Sequence, residues 1–240
     1  NHKGDLEMLT REFGIKNTIH EDGRVILNYD QIESPKAVEL VRECRGLVLD
    51  SKNNWEVVAR AFRRFFNWGE LANESHAFDW ASAIAEEKHD GSLLLVYRHN
   101  GRVCVNTRAS FGDGKPYGAC EYTWRDLLFK VCQISEENVE DYFRDNPRNT
   151  LVFELCTIYN KVVRTYNPPR AYLLAVFHAE NGELQILHLG FEGRRPRILC
   201  ILWKDLSFSV RRALQTSLFR FLLSNLSFPI AILEIPFTGL

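Results

Sequence analysis

The sequence predicts an α+β fold built mainly from antiparallel strands, on three observations. Short apolar, β-branched runs recur between residues 24 and 178. Two of them flank Asn100-Gly101, a dipeptide that favours the tightest hairpin turns. A few segments, led by Tyr122–Ile134, place apolar side chains at helical spacing instead. The chain has 240 residues, of which 45% are hydrophobic and 25% charged. That is enough to bury a sizeable core, and it excludes wholesale disorder, collagen and coiled coil.

Taken in order, Arg24–Tyr29 and Gly46–Asp50 read as short strands. Between them, Ser34-Pro35 reads as an N-cap and first helical position, with the helix running through Ala37, Leu40 and Val41. Leu93–His99 and Val103–Thr107 form the hairpin. Tyr122–Ile134 carries Trp124, Leu127, Leu128 and Val131 on one helical face, and Ser135 can cap a second helix through Phe143. Leu151–Cys156, Lys161–Thr165 and Ala171–His178 read as strands, with a turn at Asn181-Gly182.

The chain changes character near residue 185. Before it the chain is net acidic. After it the only acids are Glu192, Asp205 and Glu234, against a larger number of arginines, and Leu, Ile and Phe crowd the sequence. The apolar run Phe221–Ile235 is interrupted by Ser224, Asn225, Ser227 and Pro229, and it falls short of the roughly 20 residues a membrane span needs. The expectation is therefore two regions, 1–185 and an atypical tail at 186–240, with no membrane segment. The overall net charge of -1 excludes a uniformly basic nucleic-acid coat but leaves room for a local basic groove. Six cysteines without a CxxC pair suggest neither a disulfide framework nor a zinc site, and point to a reduced, intracellular and cytoplasmic setting. The opening Asn1-His2-Lys3-Gly4-Asp5 is no signal peptide and reads as a fragment or processed start.

The sharpest chemical segment is Glu87-Lys88-His89-Asp90-Gly91-Ser92-Leu93, at the mouth of an apolar strand. Lysine is a poor nucleophile while protonated; burial or a neighbouring cation frees its lone pair. Gly91 allows backbone to approach a ligand closely, and Asp90 can bind a metal or a ligand hydroxyl. The plainer reading is a polar turn before a strand, with Lys88 on the surface. Other segments bear on that choice. Residues 43–46 read Glu-Cys-Arg-Gly, followed by the strand residues Leu47-Val48-Leu49-Asp50. Residues 62–70 read Phe-Arg-Arg-Phe-Phe-Asn-Trp-Gly-Glu, so Arg64 and Phe66 combine charge for phosphate with a ring for stacking. The alternative there is a half-buried strand end with snorkelling arginines. Arg108 sits at the end of the hairpin, and Glu154 is a lone acid in an apolar strand, expensive unless it binds something.

In this order the segments resemble the nucleotidyltransferase domain of the bacteriophage T4 RNA ligase 1-like enzymes, within the superfamily of ATP-dependent ligases and mRNA capping enzymes. The Lys-x-Asp-Gly-Ser stretch at 88–92 matches the superfamily's nucleophile motif. The Glu-Cys-Arg-Gly and Phe-Phe-Asn-x-Gly-Glu elements are more particular to the RNA ligase branch. The resemblance covers roughly residues 25–185. It implies an ATP-grasp-like ligase fold with antiparallel sheets enclosing a nucleotide, using ATP and Mg²⁺ as cofactors and RNA ends, a 5′-phosphate and a 3′-hydroxyl, as partners. It implies that Lys88 attacks the α-phosphate of ATP and holds AMP, which then passes to the RNA 5′-phosphate before the 3′-hydroxyl seals the strand. Arg45, Arg64 and Arg108 would supply cations for phosphate; the family usually has Lys at the last two positions. Phe66 would line the nucleotide pocket, Asp90 and Gly91 would lie beside AMP, Glu154 would contact the sugar or a metal, and Tyr29 would stand near the triphosphate.

The match then breaks. The family has a Glu-Gly-x-Val strand and a Lys-x-Lys strand further on. Here Glu192-Gly193 is followed by Arg194-Arg195-Pro196, and Lys204 is the sole lysine after Lys161. The domain is thus expected to be incomplete at its C-terminal end, with a frameshifted or mis-spliced tail, and the chain to adenylylate itself weakly or not at all. The alternative is a divergent pseudoenzyme, a nucleotide- or RNA-binding module that uses Lys88 only as a phosphate contact. A DNA ligase or capping enzyme fits the Arg-Gly and Phe-Phe-Asn segments less well.

Overall fold

A computed structural model describes residues 5–67, 70, 88–116 and 120–185. The expected tail at 186–240, with its apolar run and Glu192-Gly193, lies outside the described residues.

The architecture is α+β with antiparallel pairing throughout, as expected. The elements are α1 (Leu6–Phe13), β1 (Ile15–Ile19), β2 (Arg24–Tyr29), α2 (Glu39–Glu43), β3 (Arg45–Asp50), β4 (Glu56–Ala59), β5 (Ser92–His99), β6 (Arg102–Thr107), α3 (Trp124–Cys132), α4 (Glu136–Asp145), β7 (Asn149–Cys156), β8 (Arg170–His178) and β9 (Leu184–Gln185). The first sheet has the order β1-β2-β3-β4 and the second β6-β5-β7-β8-β9, which makes β7 the middle strand of its sheet.

Each sheet buries both faces. Leu94, Val96, Leu151, Phe153 and Leu155 of the second sheet pack against Leu127, Leu128, Val139 and Phe143 of α3 and α4. The alternate residues Leu95, Tyr97 and Val152 point the other way and meet Ile26 and Val48 of the first sheet. On the far side of the first sheet, Val25, Leu27 and Tyr29 pack with Met8 and Leu9 of α1 and with Val41 of α2. The layers therefore run helices, sheet, sheet, helices, and the gap between the sheets is the only place where both contribute side chains to one core cluster among the described residues.

Local signals account for much of this. Asn100 and Gly101 take φ of 47° and 76°, the doubly positive pair of a type I′ turn, and register β5 on β6 through His99 opposite Arg102. Thr123 caps α3 by accepting from the Asp126 N–H at 3.1 Å, and Ser135 closes a capping box with Asn138 on α4.

Two expectations are corrected. Ser34 does not cap a helix: α2 begins at Glu39, after an uncapped Val38. The buried Ser34 hydroxyl instead accepts from the Asp30 N–H at 2.9 Å and donates to the Gly14 carbonyl at 3.0 Å, pinning the turn to the end of α1. Lys161–Thr165 is not a strand. The amides of Val163 and Arg164 donate to the Asp90 carboxylate rather than to a neighbouring strand, and Val162 and Val163 stay 67% and 77% exposed. Among the described residues no helix is long and apolar enough to cross a membrane, and the five described cysteines are free and buried.

Candidate active site

The segment Lys88–Ser92 enters β5 along the end of β7, and its geometry is set by what each residue touches. Gly91 lies so close to β7 that a Cβ there would sit 2.3 Å from the Leu155 carbonyl oxygen and 2.8 Å from Cys156 Sγ. Only glycine fits, and the reason is space rather than backbone dihedral. This closeness lets the Gly91 N–H donate to Glu154 Oε1 at 3.0 Å. Ser92 Oγ accepts from Asn160 Nδ2 at 2.9 Å, and the same amide group donates to the Leu155 carbonyl at 2.6 Å. Asp90 is held at both ends. Its N–H donates to the Tyr166 hydroxyl at 3.0 Å, and its Oδ2 accepts from the Val163 and Arg164 amides at 2.7 and 2.5 Å. Those two amides hold its pKa below the usual carboxylate range, with a smaller contribution from the Lys88 charge. The His89 ring is buried and stacks flat on Tyr172 of β8, centroids 3.7 Å apart. Lys88 is left exposed at the head of this anchored loop.

Glu154 shares the face of β7 that carries Val152, so it turns toward the gap between the sheets. Burial pushes its carboxyl up to about 7; the Gly91 N–H and the charges of Lys88 and Arg45 oppose that rise without cancelling it. Arg45, at the start of β3, brings the charge from the opposite sheet. Burial lowers its pKa, its interaction with Tyr29 counters this, and neighbouring Arg108 adds to the lowering. Its Nη1 is buried with no hydrogen-bond partner, and so is Nη1 of Arg64. Buried guanidinium N–H groups left unmatched are costly, and a phosphate oxygen would satisfy them.

The aromatic residues alternate with the cations. The Arg64 guanidinium lies 4.3 Å from the Tyr29 ring centre and 5.4 Å from that of Phe66, which has Arg42 5.3 Å away. Arg108 stands 5.7 Å from Tyr29, and Arg45 lies 4.7 Å from the Phe65 ring. Gly46 makes the seam between the sheets possible. With φ of +81°, it lies where a Cβ would stand 3.2 Å from the Arg108 Cα.

All nine residues singled out in the sequence thus fall at one end of the two-sheet sandwich. Tyr29, Arg45, Arg64, Phe66 and Arg108 form the cationic-aromatic cluster. Lys88, Asp90, Gly91 and Glu154 form the loop-and-acid cluster, and the charge of Arg45 acting on Glu154 links them. Asp90 differs from its expected place beside a nucleotide in one respect, because its Oδ2 is taken by backbone amides. The sequence reading missed His89, Tyr166, Tyr172 and Asn160 as positioning groups, and Phe65 as a ring against Arg45. Asn160 and Tyr166 flank the Lys161–Thr165 segment in the sequence Tyr159-Asn160-Lys161-Val162-Val163-Arg164-Thr165-Tyr166, and that proximity to Glu154 was their only signal.

The RNA ligase family matches this chain over residues 43–188, which takes in every one of the nine except Tyr29. The chain belongs to the RNA ligase family. A protein named "Putative bifunctional polynucleotide kinase/RNA ligase" from Autographa californica nuclear polyhedrosis virus is 29% identical over 194 residues, 75% of this chain and 28% of that protein. A "Putative RNA ligase" from Thermovibrio ammonificans is 28% identical over 169 residues, 66% of this chain and 42% of its own length. This RNA ligase family member therefore spans less than half of each of these relatives. A solved archaeal ATP-dependent RNA ligase aligns with 74% of the chain and 43% of its own, at 16% identity and a TM-score of 0.45.

Proposed function

We propose that residues 1–185 form an adenylyl-transfer unit in which Lys88 Nζ attacks the α-phosphorus of ATP. An N–P bond forms, the bond to pyrophosphate breaks, and AMP stays on Lys88 until an RNA 5′-phosphate takes it for joining to a 3′-hydroxyl. The observation that carries the reading is an exposed lysine at the head of a loop held by Glu154, Asn160, Val163, Arg164, Tyr166 and Tyr172, beside a half-buried acid from the adjoining sheet and a half-buried guanidinium from the other. Phosphoryl transfer needs positioning and charge more than covalent help from the protein. Arg45, Arg64 and Arg108 would take phosphate oxygens, and the gap between the sheets would hold the adenosine.

The donors fit a divalent cation only as a companion of the nucleotide. Among the described residues no three His, Cys, Asp or Glu side chains cluster as ligands. Glu154 uses Oε1 on the Gly91 N–H, which leaves Oε2 for a cation, and Mg²⁺ is commonly held by one or two carboxylates together with substrate phosphates. When bound, Mg²⁺ would neutralise charge on the leaving pyrophosphate.

A second reading, reversible nucleotide or RNA binding without a covalent step, is favoured by one observation: the sequence has no Lys-x-Lys after Lys161. The test is incubation with α-labelled ATP and Mg²⁺, followed by denaturation and gel analysis. Weak label that survives base, is lost in acid and vanishes in Lys88→Ala is the expected result. ATP binding with no label at any enzyme concentration supports the second reading, and label that persists in Lys88→Ala overturns the first.

A further inference from the structure

Phe65 and Phe66 are neighbours in sequence with opposite fates. Phe66 is half-buried, with Arg42 5.3 Å and Arg64 5.4 Å from its ring centre. Among the described residues Phe65 has one cation against it, Arg45 at 4.7 Å, and it is 65% exposed. It stands at the open end of the alternating series of rings and guanidinium groups, and the cation it leans on is the one whose charge reaches Glu154, next to Lys88. A large apolar ring displayed at the rim of a polar site, backed by a planar cation, has the properties of a stacking platform. Any nucleobase offers a flat face to such a ring, and the positive charge behind it favours a strand carrying phosphates.

We propose that Phe65 stacks the terminal base of the RNA strand presented to Lys88, and is a binding residue for RNA rather than for ATP. This rests on the RNA ligase reading above. Two features separate the two possible sources of the base. A mononucleotide undergoing phosphoryl transfer is best held where water is excluded, which is the gap between the sheets near Glu154 and Arg45. A strand end, with more nucleotides behind it, can be met only at the rim, where Phe65 has space on its uncovered side.

The test measures two affinities without any covalent step. A short 5′-phosphorylated oligoadenylate with a 3′ fluorophore reports RNA binding by anisotropy, and labelled ATP in equilibrium dialysis reports nucleotide binding. Phe65→Ala should weaken RNA binding about 5- to 100-fold, the range expected for one stacked base, with ATP binding unchanged. Phe65→Trp should restore RNA binding. Unchanged RNA affinity in Phe65→Ala overturns the proposal, as does any loss of ATP affinity, with or without a loss for RNA. Because no label is read, failure of Lys88 to take up AMP leaves this result independent.

Discussion

Glu154→Gln should make the protein more stable relative to the parent as pH rises. In the folded chain the Glu154 carboxyl sits at about 7, against 4.5 ordinarily. Between those values the folded state keeps a proton that the unfolded chain has released, so the unfolding free energy of the parent falls with pH across that window. At 1.36 kcal/mol per pH unit, the gap is worth on the order of 3 kcal/mol. Gln removes the titration but keeps a carbonyl oxygen for the Gly91 N–H, so the anchor of the loop survives. Urea unfolding of parent and variant in parallel, from about pH 4 to pH 9, gives the difference in stability at each pH, and groups common to both cancel. The difference should grow in favour of Gln from about pH 4.5 and level off above about pH 7. A flat difference refutes the reasoning. A difference that moves toward the parent also refutes it, because the charges of Lys88 and Arg45 would then outweigh burial.

Gly91→Ala places a methyl group against the Leu155 carbonyl of the middle strand, which cannot retreat, so the loop must move and lose its bond to Glu154. Overpacking and the lost bond together should cost about 2–4 kcal/mol. The melting temperature should fall by about 5–15 °C in differential scanning calorimetry, and an unchanged melting temperature would show that the close approach is not real. Asp90→Ala should release the Val163 and Arg164 amides, raising their hydrogen exchange while the Ser92–Leu155 pairing persists. Since those bonds hold the Asp90 pKa low, its contribution is present above the ordinary aspartate value and fades as pH falls through the folded one. The two amides in the parent should therefore lose protection in acid before the β5–β7 amides do; simultaneous loss contradicts the tether.

What could be read from the sequence was whatever depends on near neighbours. The Asn100-Gly101 turn needs two positive φ values and has two residues suited to them. The Ser135 cap acts within three residues. The Lys88–Ser92 loop and the cost of placing Glu154 in an apolar strand were also local. Other features were hidden because their reasons lie far away in the chain. Lys161–Thr165 has a strand's composition, and only the distant carboxylate of Asp90 shows where its amides go. Ser34-Pro35 has the form of a cap, but the partner of its hydroxyl is the end of α1. The strand β1 escaped notice because only Ile15 of its five residues is buried. The sequence named Arg45, Arg64, Arg108, Tyr29 and Phe66 but neither Phe65 and Arg42 nor the alternation of rings and cations, since that order arises when β2, β3 and the segment after β4 meet the end of the hairpin.

Arg45 and Tyr29 belong to one sheet, Glu154 and the strand that the Lys88 loop enters belong to the other, and Gly46 lets the two meet. On the adenylyl-transfer proposal, neither half holds the full set of groups by itself. During synthesis, a nascent chain with one layer formed would carry an amine with no more chemical promise than any other on its surface. Competence would arrive abruptly, at the moment the second layer docks.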